Sequence, residues 1–434
     1  VTDAGIYHEL GEQAWSWVQG QLRGDDGPWL PENFGEQAPN DDRDTFYAGI
    51  AGLAPALAEI SLCRELTEAE RALQKAIAQR LVAQVPTRQE ACLYTGLAGD
   101  ATALKILAPG QEQIALRRLA ELQTPEGWPT TVDFGSGFRG AISDVVLGTA
   151  GVVMTAVWAG GPHAKDIAIA GSEALLKVAR PMGAGLEWRL HPEYPSSSPN
   201  FSHGTAGVAA ALALTGLTYG RADLVEAARQ GAESLVSLAH QLDEGGFVVP
   251  HTIPDSTRDV EPLTYTWCHG PTGTSYLFSA LELAGAERAG GFTMRELRQR
   301  CVHSVLTSGL PERLRPGFWD NDGRCCGTAG VGDMLLDAYQ DGMGDELLPQ
   351  AQRMADALLQ RAIRDETGAC WRFIEHRNDE PLLPPGTSWM QGAAGVATFL
   401  LRLARVLREG PEARVVTRPD QWWGVPARLA RVSI

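Results

Sequence analysis

Ser202-His203-Gly204-Thr205-Ala206-Gly207, Cys268-His269-Gly270-Pro271-Thr272-Gly273 and Cys325-Cys326-Gly327-Thr328-Ala329-Gly330 are three consecutive copies of one short step, Gly-x-x-Gly. In each, at least one of the two positions before the first glycine carries histidine or cysteine. The step also opens at Gly49, Gly96, Gly148 and Gly392, giving seven copies at long, similar intervals. Successive first glycines lie 47, 52, 56, 66, 57 and 65 residues apart, which is room for two helices of ordinary length and their connections. A repeat array grows as one body because each unit packs mainly on its neighbours, so residues 1–434 are read as a single domain with recognisable repeats over 47–405.

Most glycine steps run into a segment that is small or apolar nearly all round: 53–62, 152–159, 208–218, 274–284, 331–339 and 396–407. Such segments read as buried helices. Segments 67–85, 166–179, 222–242, 293–306 and 349–363 are more polar, with charges recurring at three- and four-residue spacing on one face, and read as outer helices. Glycine pairs at the start of inner helices allow close backbone approach. The first-turn N–H groups are expected to point toward the middle. Loops with short β ribbons on one face are expected at 124–140, 181–201, 245–266, 313–323 and 368–386, where Gly, Pro, Ser and aromatics cluster.

Composition excludes several classes. With 44% apolar and 21% charged residues and a net charge of −16, the chain is an ordinary globular protein without the basic surface that nucleic acid requires. No stretch reaches the length of a membrane span, and the first residues lack the basic-then-apolar pattern of a signal peptide. The seven scattered cysteines do not form a secreted disulfide framework. A cytoplasmic location is expected.

Register gives the cysteines their meaning. Cys268 and Cys325 both stand two residues before their glycines; His203, His269 and Cys326 stand one before theirs. If the repeats are related by rotation, these positions share one height and converge although Cys268 and Cys325 are 57 residues apart. Three thiolates with an open fourth position suit a catalytic zinc ion (Zn2+). Cys63, Cys92, Cys301 and Cys370 lie in apolar or helical contexts and read as core. His8, His163, His240 and His303 fall in peripheral segments.

The seven glycine steps, Ser202-His203-Gly204, Trp267-Cys268-His269-Gly270, Cys325-Cys326-Gly327 and Ser388-Trp389-Met390-Gln391-Gly392 together resemble the lanthionine synthetase C-like family of lanthipeptide cyclases. The resemblance implies an all-α fold, an α/α toroid of seven inner and seven outer helices with zinc at one mouth. It also implies an activity: addition of a peptide cysteine to a dehydroalanine or dehydrobutyrine, closing a thioether ring. The partner is then a dehydrated precursor peptide, and no kinase-like Gly-rich loop is present, so a separate dehydratase is expected.

By the same resemblance, Cys268, Cys325 and Cys326 are the metal ligands. His203 matches the proton donor to the enolate, and Asp144, four residues before Gly148, matches an aspartate that orients a histidine or handles the thiol proton. His269, after the first ligand, is a further candidate at the enolate or metal. The chain departs from the commonest pattern by carrying Cys326 where a histidine usually stands, and Thr264 where many bacterial members have arginine. Other chemistries meet the same residues less well. A zinc prenyltransferase would need a basic diphosphate pocket, and no Arg/Lys cluster flanks Cys268 or Cys325. Glutathione addition to dehydrated residues and non-catalytic zinc or peptide binding are the alternatives within the family.

Overall fold

The computed structural model describes residues 3–24, 26–130, 138–256, 261–312, 321–375 and 379–434. Parts of four expected loops, at 131–137, 257–260, 313–320 and 376–378, lie outside the described residues. Each glycine step is followed by an inner helix: α2 (Leu53–Cys63), α4 (Leu97–Leu107), α6 (Thr149–Ala159), α8 (Thr205–Tyr219), α10 (Pro271–Leu283), α12 (Thr328–Gln340) and α14 (Ala393–Glu409). The outer helices are α1 (Asp3–Gln21), α3 (Glu68–Gln84), α5 (Glu112–Leu122), α7 (Ala164–Val178), α9 (Ala222–Leu238), α11 (Met294–Thr307) and α13 (Leu347–Arg361).

Each inner helix packs on the next, and α14 packs on α2, so the inner layer closes into a ring. The expected seven-plus-seven α/α toroid is the fold. The segments read from the sequence did not include α4, α5 or α1, the last of which supplies the outer partner of α14 and joins the two ends of the chain. Inner helices are buried on nearly every face; α8 is buried from Thr205 to Gly216. Outer helices bury one stripe, as α13 does with Leu347, Ala351, Met354, Ala355 and Leu358. Two outer helices, α3 and α11, begin with complete capping boxes, Thr67 with Glu70 and Thr293 with Glu296. These satisfy orphan amides and set the starts of the helices.

Among the described residues, five two-stranded ribbons decorate this ring. Strands β1 (Arg180–Met182) and β2 (Gly185–Glu187), β5 (Ile363–Asp365) and β6 (Gly368–Cys370), and β7 (Arg372–Ile374) and β8 (Leu382–Pro385) all lie in outer-to-inner connections, as expected. Strands β3 (Arg288–Ala289) and β4 (Phe292–Thr293) lie in an inner-to-outer connection, and β9 (Val415–Val416) pairs with β10 (Ala430–Arg431) in the C-terminal segment.

A second ring, made of backbone amides, runs around the mouth. It joins the residues two positions before each first glycine. Tyr47 N–H donates to Tyr94 O, Tyr94 to Val146, Val146 to Ser202, Ser202 to Cys268, Cys268 to Cys325, Cys325 to Met390, and Met390 back to Tyr47, at 2.9–3.3 Å. Seven repeats thus stand in one register, with no free edge.

The glycines make room for that ring. A Cβ on the second glycine of any copy would strike the carbonyl oxygen six residues upstream, as Gly151 would strike Val145 and Gly273 would strike Trp267. The first-turn N–H groups do not face the centre, contrary to expectation. They donate to their own preceding loop seven residues upstream, for example Thr205 to Ser198, Ala206 to Pro199, Thr328 to Asn321 and Ala393 to Gly386. At α10, where Pro271 has no N–H, the Thr272 hydroxyl bonds Tyr265 O at 2.7 Å. The loop that carries each site residue is therefore stapled to the helix that follows it.

Gly151→Ala is expected to destabilise the protein by about 1–3 kcal/mol, the usual cost of forced overpacking. Gly20→Ala, at an exposed helical glycine with nothing within 4 Å of the added Cβ, is expected to stabilise by about 0.5–1 kcal/mol. Denaturant unfolding of both variants checks this; equal midpoints would rule out backbone clearance as the role of the step.

Candidate metal centre

Cys268 and Cys325 are neighbours in the amide ring, and Cys326 follows directly. Their three sulfur atoms lie within 4.8 Å of one another, and all three residues are buried. They form the only group of three or more such potential ligands among the described residues. None of the three is in a disulfide. The donor set, three soft sulfur ligands at one mouth of the toroid, fits zinc.

Neighbouring groups favour negative charge on Cys325 and disfavour it on Cys268 and Cys326. Hydrogen bonds from Cys268 and Cys326 hold the Cys325 thiol well below its ordinary range, helped by the Tyr47 hydroxyl and the charge of His203. Cys268 is pushed well above its range by its hydrogen bonds to Cys325 and Cys326 and then by burial. Burial, followed by the charge on Cys325, keeps the Tyr47 phenol protonated far above neutral pH, so it remains a hydrogen-bond donor. The Gln391 side-chain amide donates to Tyr47 Oη at 2.9 Å.

Two further polar side chains border the sulfurs. Thr266 Oγ1 is 3.8 Å from Cys268 Sγ, and Asn321 Nδ2 is 3.8 Å from Cys326 Sγ. Asn321 also grips β7, donating to Ile374 O at 3.1 Å and accepting from Ile374 N–H at 2.9 Å. Such outer groups orient ligands and tune a metal.

His203 and Asp144 form a pair beside this centre. His203 Nδ1 lies 2.5 Å from Asp144 Oδ2, and Asp144 Oδ1 accepts from Leu147 N–H at 2.7 Å. Asp144 is thus both a loop-fixing carboxylate and the partner of the histidine. It is 1% exposed, whereas the His203 side chain is 35% exposed, so the histidine can meet a substrate. Burial favours neutral imidazole, yet the hydrogen bond and charge of Asp144, with Cys325, outweigh it and raise the His203 pKa above its ordinary value. With Nδ1 committed to Asp144, Nε2 is the ring atom left to exchange a proton.

His269 sits between two other histidines. Its ring is 5.6 Å from that of His203 and stacks on His251 at 3.9 Å. The Thr264 hydroxyl, at the place where arginine is common in the resembled family, bonds to His269 O. Sequence reading missed Tyr47, Gln391, Asn321, Thr266 and His251. For Tyr47 and Gln391 a signal existed, because they occupy the decorated register positions of copies one and seven. Cys92, Cys301 and Cys370 are buried away from this group, and Cys63 is partly buried.

The chain matches the model of the family "Lanthionine synthetase C-like protein" over residues 40–407, and it belongs to that family. A search of curated protein sequences returns no match. Among solved structures, it is similar to nisin cyclase at 15% identity, with 84% of this chain and 89% of that chain covered and a TM-score of 0.57. It also aligns with the unsaturated glucuronyl hydrolase of Bacillus sp. GL1 at 13% identity, covering 93% and 97% of the two chains with a TM-score of 0.45. At this identity the first likeness bears on the fold alone, and the second is too distant to add to it. No helix among the described residues is long and apolar enough to cross a membrane.

The raised His203 pKa means that its pairing with Asp144 stabilises the fold fully below the ordinary imidazole range and less as pH rises through the raised value. Asp144→Asn should therefore move the His203 titration, followed by NMR of the imidazole, to lower pH. An unshifted midpoint would show that Asp144 does not control the proton.

Proposed function

We propose that this protein is a zinc-dependent lanthipeptide cyclase, acting as one domain over residues 1–434. What carries the reading is the meeting of Cys268, Cys325 and Cys326 with the His203–Asp144 pair at one mouth of a toroid of this family. The substrate is a precursor peptide whose Ser and Thr residues a separate dehydratase has converted to dehydroalanine and dehydrobutyrine, in the cytoplasm.

Cys268, Cys325 and Cys326 hold the metal. Zinc, when bound, makes a substrate thiol available as thiolate near neutral pH, although a free cysteine has a pKa of about 8.5. The peptide thiolate adds to the β-carbon of the dehydro residue, forming the carbon–sulfur bond and leaving an enolate. The thiol proton is released to solvent at the open mouth, and protonated His203 delivers a proton to the α-carbon, so the addition balances. Asp144 keeps the imidazole oriented and protonated until then. His269, between His203 and His251, lines the approach to the enolate. Tyr47 and Asn321 border the cysteine side chains that would hold the metal.

Cys326 sharpens the mechanism. A third thiolate from Cys326 in place of histidine would make a bound zinc a weaker Lewis acid, which would favour faster or more permissive addition than a Cys-Cys-His set. Cys326→His should retain zinc and slow cyclisation; an unchanged rate would contradict the role assigned to the third sulfur.

The decisive experiment is incubation with a dehydrated precursor, followed by thiol alkylation and tandem mass spectrometry. Ring closure leaves mass unchanged and removes alkylatable thiols. Glutathione addition would instead add the mass of the tripeptide. His203→Ala should slow closure by about 10²–10⁴-fold, the usual worth of a general acid. Cys268→Ala should lose stoichiometric zinc by elemental analysis while Cys63→Ser keeps it. Persistent free thiols with folded, zinc-loaded protein would overturn the cyclase reading.

A further inference from the structure

The family match ends at residue 407 and α14 at Glu409, yet much of the chain beyond them is inside the toroid. Val415, Val416, Arg418, Asp420, Gln421 and Trp423 are all buried. Their bonds reach opposite sides of the inner layer. Trp158 Nε1 of α6 lies 3.4 Å from Thr417 Oγ1, Tyr94 Oη donates to Asp420 Oδ2 at 2.7 Å, and Trp423 Nε1 donates to Tyr276 O of α10 at 2.8 Å. Gln421 Nε2 donates to Asp337 Oδ1 of α12 at 2.8 Å, and Arg418 Nη2 to Asp333 Oδ2 of the same helix at 3.3 Å. The segment therefore crosses the lumen. A cavity of about 20 Å³ bordered by Trp267, Trp389, Arg324 and Arg418 lies against it, room for about one water.

Two of these contacts lead to the cysteines. The position three before each first glycine is Phe46, Leu93, Val145, Phe201, Trp267, Arg324 and Trp389. It is an apolar floor beneath the amide ring in six copies and a cation in the copy that carries Cys325 and Cys326. Arg324 lies over the Trp389 ring at 4.2 Å and pairs with Asp333 at 2.5 Å. Asp333 also pairs with Arg402 at 2.7 Å and with Arg418 at 3.3 Å. Arg402 further pairs with Asp337 at 2.7 Å. With Asp420, three arginines meet three aspartates, so the buried cluster is neutral. On the other side, the Tyr94 ring that holds Asp420 lies edge-on to Tyr47 at 5.9 Å and to Trp267 at 5.8 Å. Those residues are the phenol beside Cys325 and the neighbour of Cys268.

We propose that residues 415–425 form a positioning plug for the metal centre. Arg418 acts through Asp333 and Arg324, and Asp420 acts through Tyr94, to hold the two cysteine-bearing loops at their spacing from below. The plug also makes the toroid a one-ended cup, so substrate enters only at the His203 side. This inference rests on the metal-centre reading above.

The test uses the full chain with Tyr94→Phe, Asp420→Asn and, on the opposite flank of the plug, Thr417→Val. Zinc affinity is measured by chelator competition, the thiolate-to-metal bands of the cobalt-substituted protein are recorded, and unfolding midpoints are taken alongside. Tyr94→Phe and Asp420→Asn should each weaken zinc binding about tenfold, the low end of outer-shell effects, and alter the cobalt bands, while Thr417→Val leaves both unchanged. Zinc affinity within about twofold of wild type and an unchanged cobalt spectrum in Tyr94→Phe, whatever its unfolding midpoint, would overturn the proposal by reducing the plug to a structural role. Wild-type protein that binds neither metal stoichiometrically would instead refute the metal-centre reading itself.

Discussion

Seven backbone hydrogen bonds, each from the residue two before a Gly-x-x-Gly step to its counterpart in the next repeat, hold this molecule in register. An amide bond of this kind contributes only about 0.5–1.5 kcal/mol net, so strength is not their importance. Their importance is closure. Because Met390 donates back to Tyr47, no repeat can slip by one residue without breaking bonds on both sides. Every side chain at a given offset from its glycine is then delivered to the same height.

The offsets act as layers. Two before the glycine stand Cys268, Cys325 and Tyr47; one before it stand Cys326, His203, His269 and Gln391; three before it stands the floor of aromatics interrupted by Arg324. The glycines keep the loops close enough for the ring to form, and the loops use up the first-turn amides of the inner helices. The open helix termini that such a ring of dipoles could present are thereby closed. What remains to bind and react in the mouth is side-chain chemistry: thiolates, imidazoles, a phenol and an amide.

Much of this was legible in the sequence, because the repeat is short, regular and tied to helix starts. The step gave the inner helices, the polar intervals gave most of the outer ones, and shared register singled out Cys325-Cys326 from the other cysteines. Three things were not legible. The outer partner of α14 comes from the other end of the chain, where α1 carries no repeat signature. Asn321 and His251 reach the site from loops whose course no periodicity describes. The plug follows the last repeat, and its Arg418, Asp420 and Gln421 look like surface residues until the lumen that buries them is known. The expectation about first-turn amides failed because it treated each helix apart from the loop stapled to it.

Register brings Cys268, Cys325 and Cys326 together, and we propose that they hold one zinc. X-ray absorption at the metal edge of the purified protein measures that directly. The expected spectrum is that of one zinc per chain with three sulfur neighbours at about 2.3 Å and one lighter ligand. A zinc bound with one sulfur or none, or no stoichiometric metal in folded protein, would contradict it.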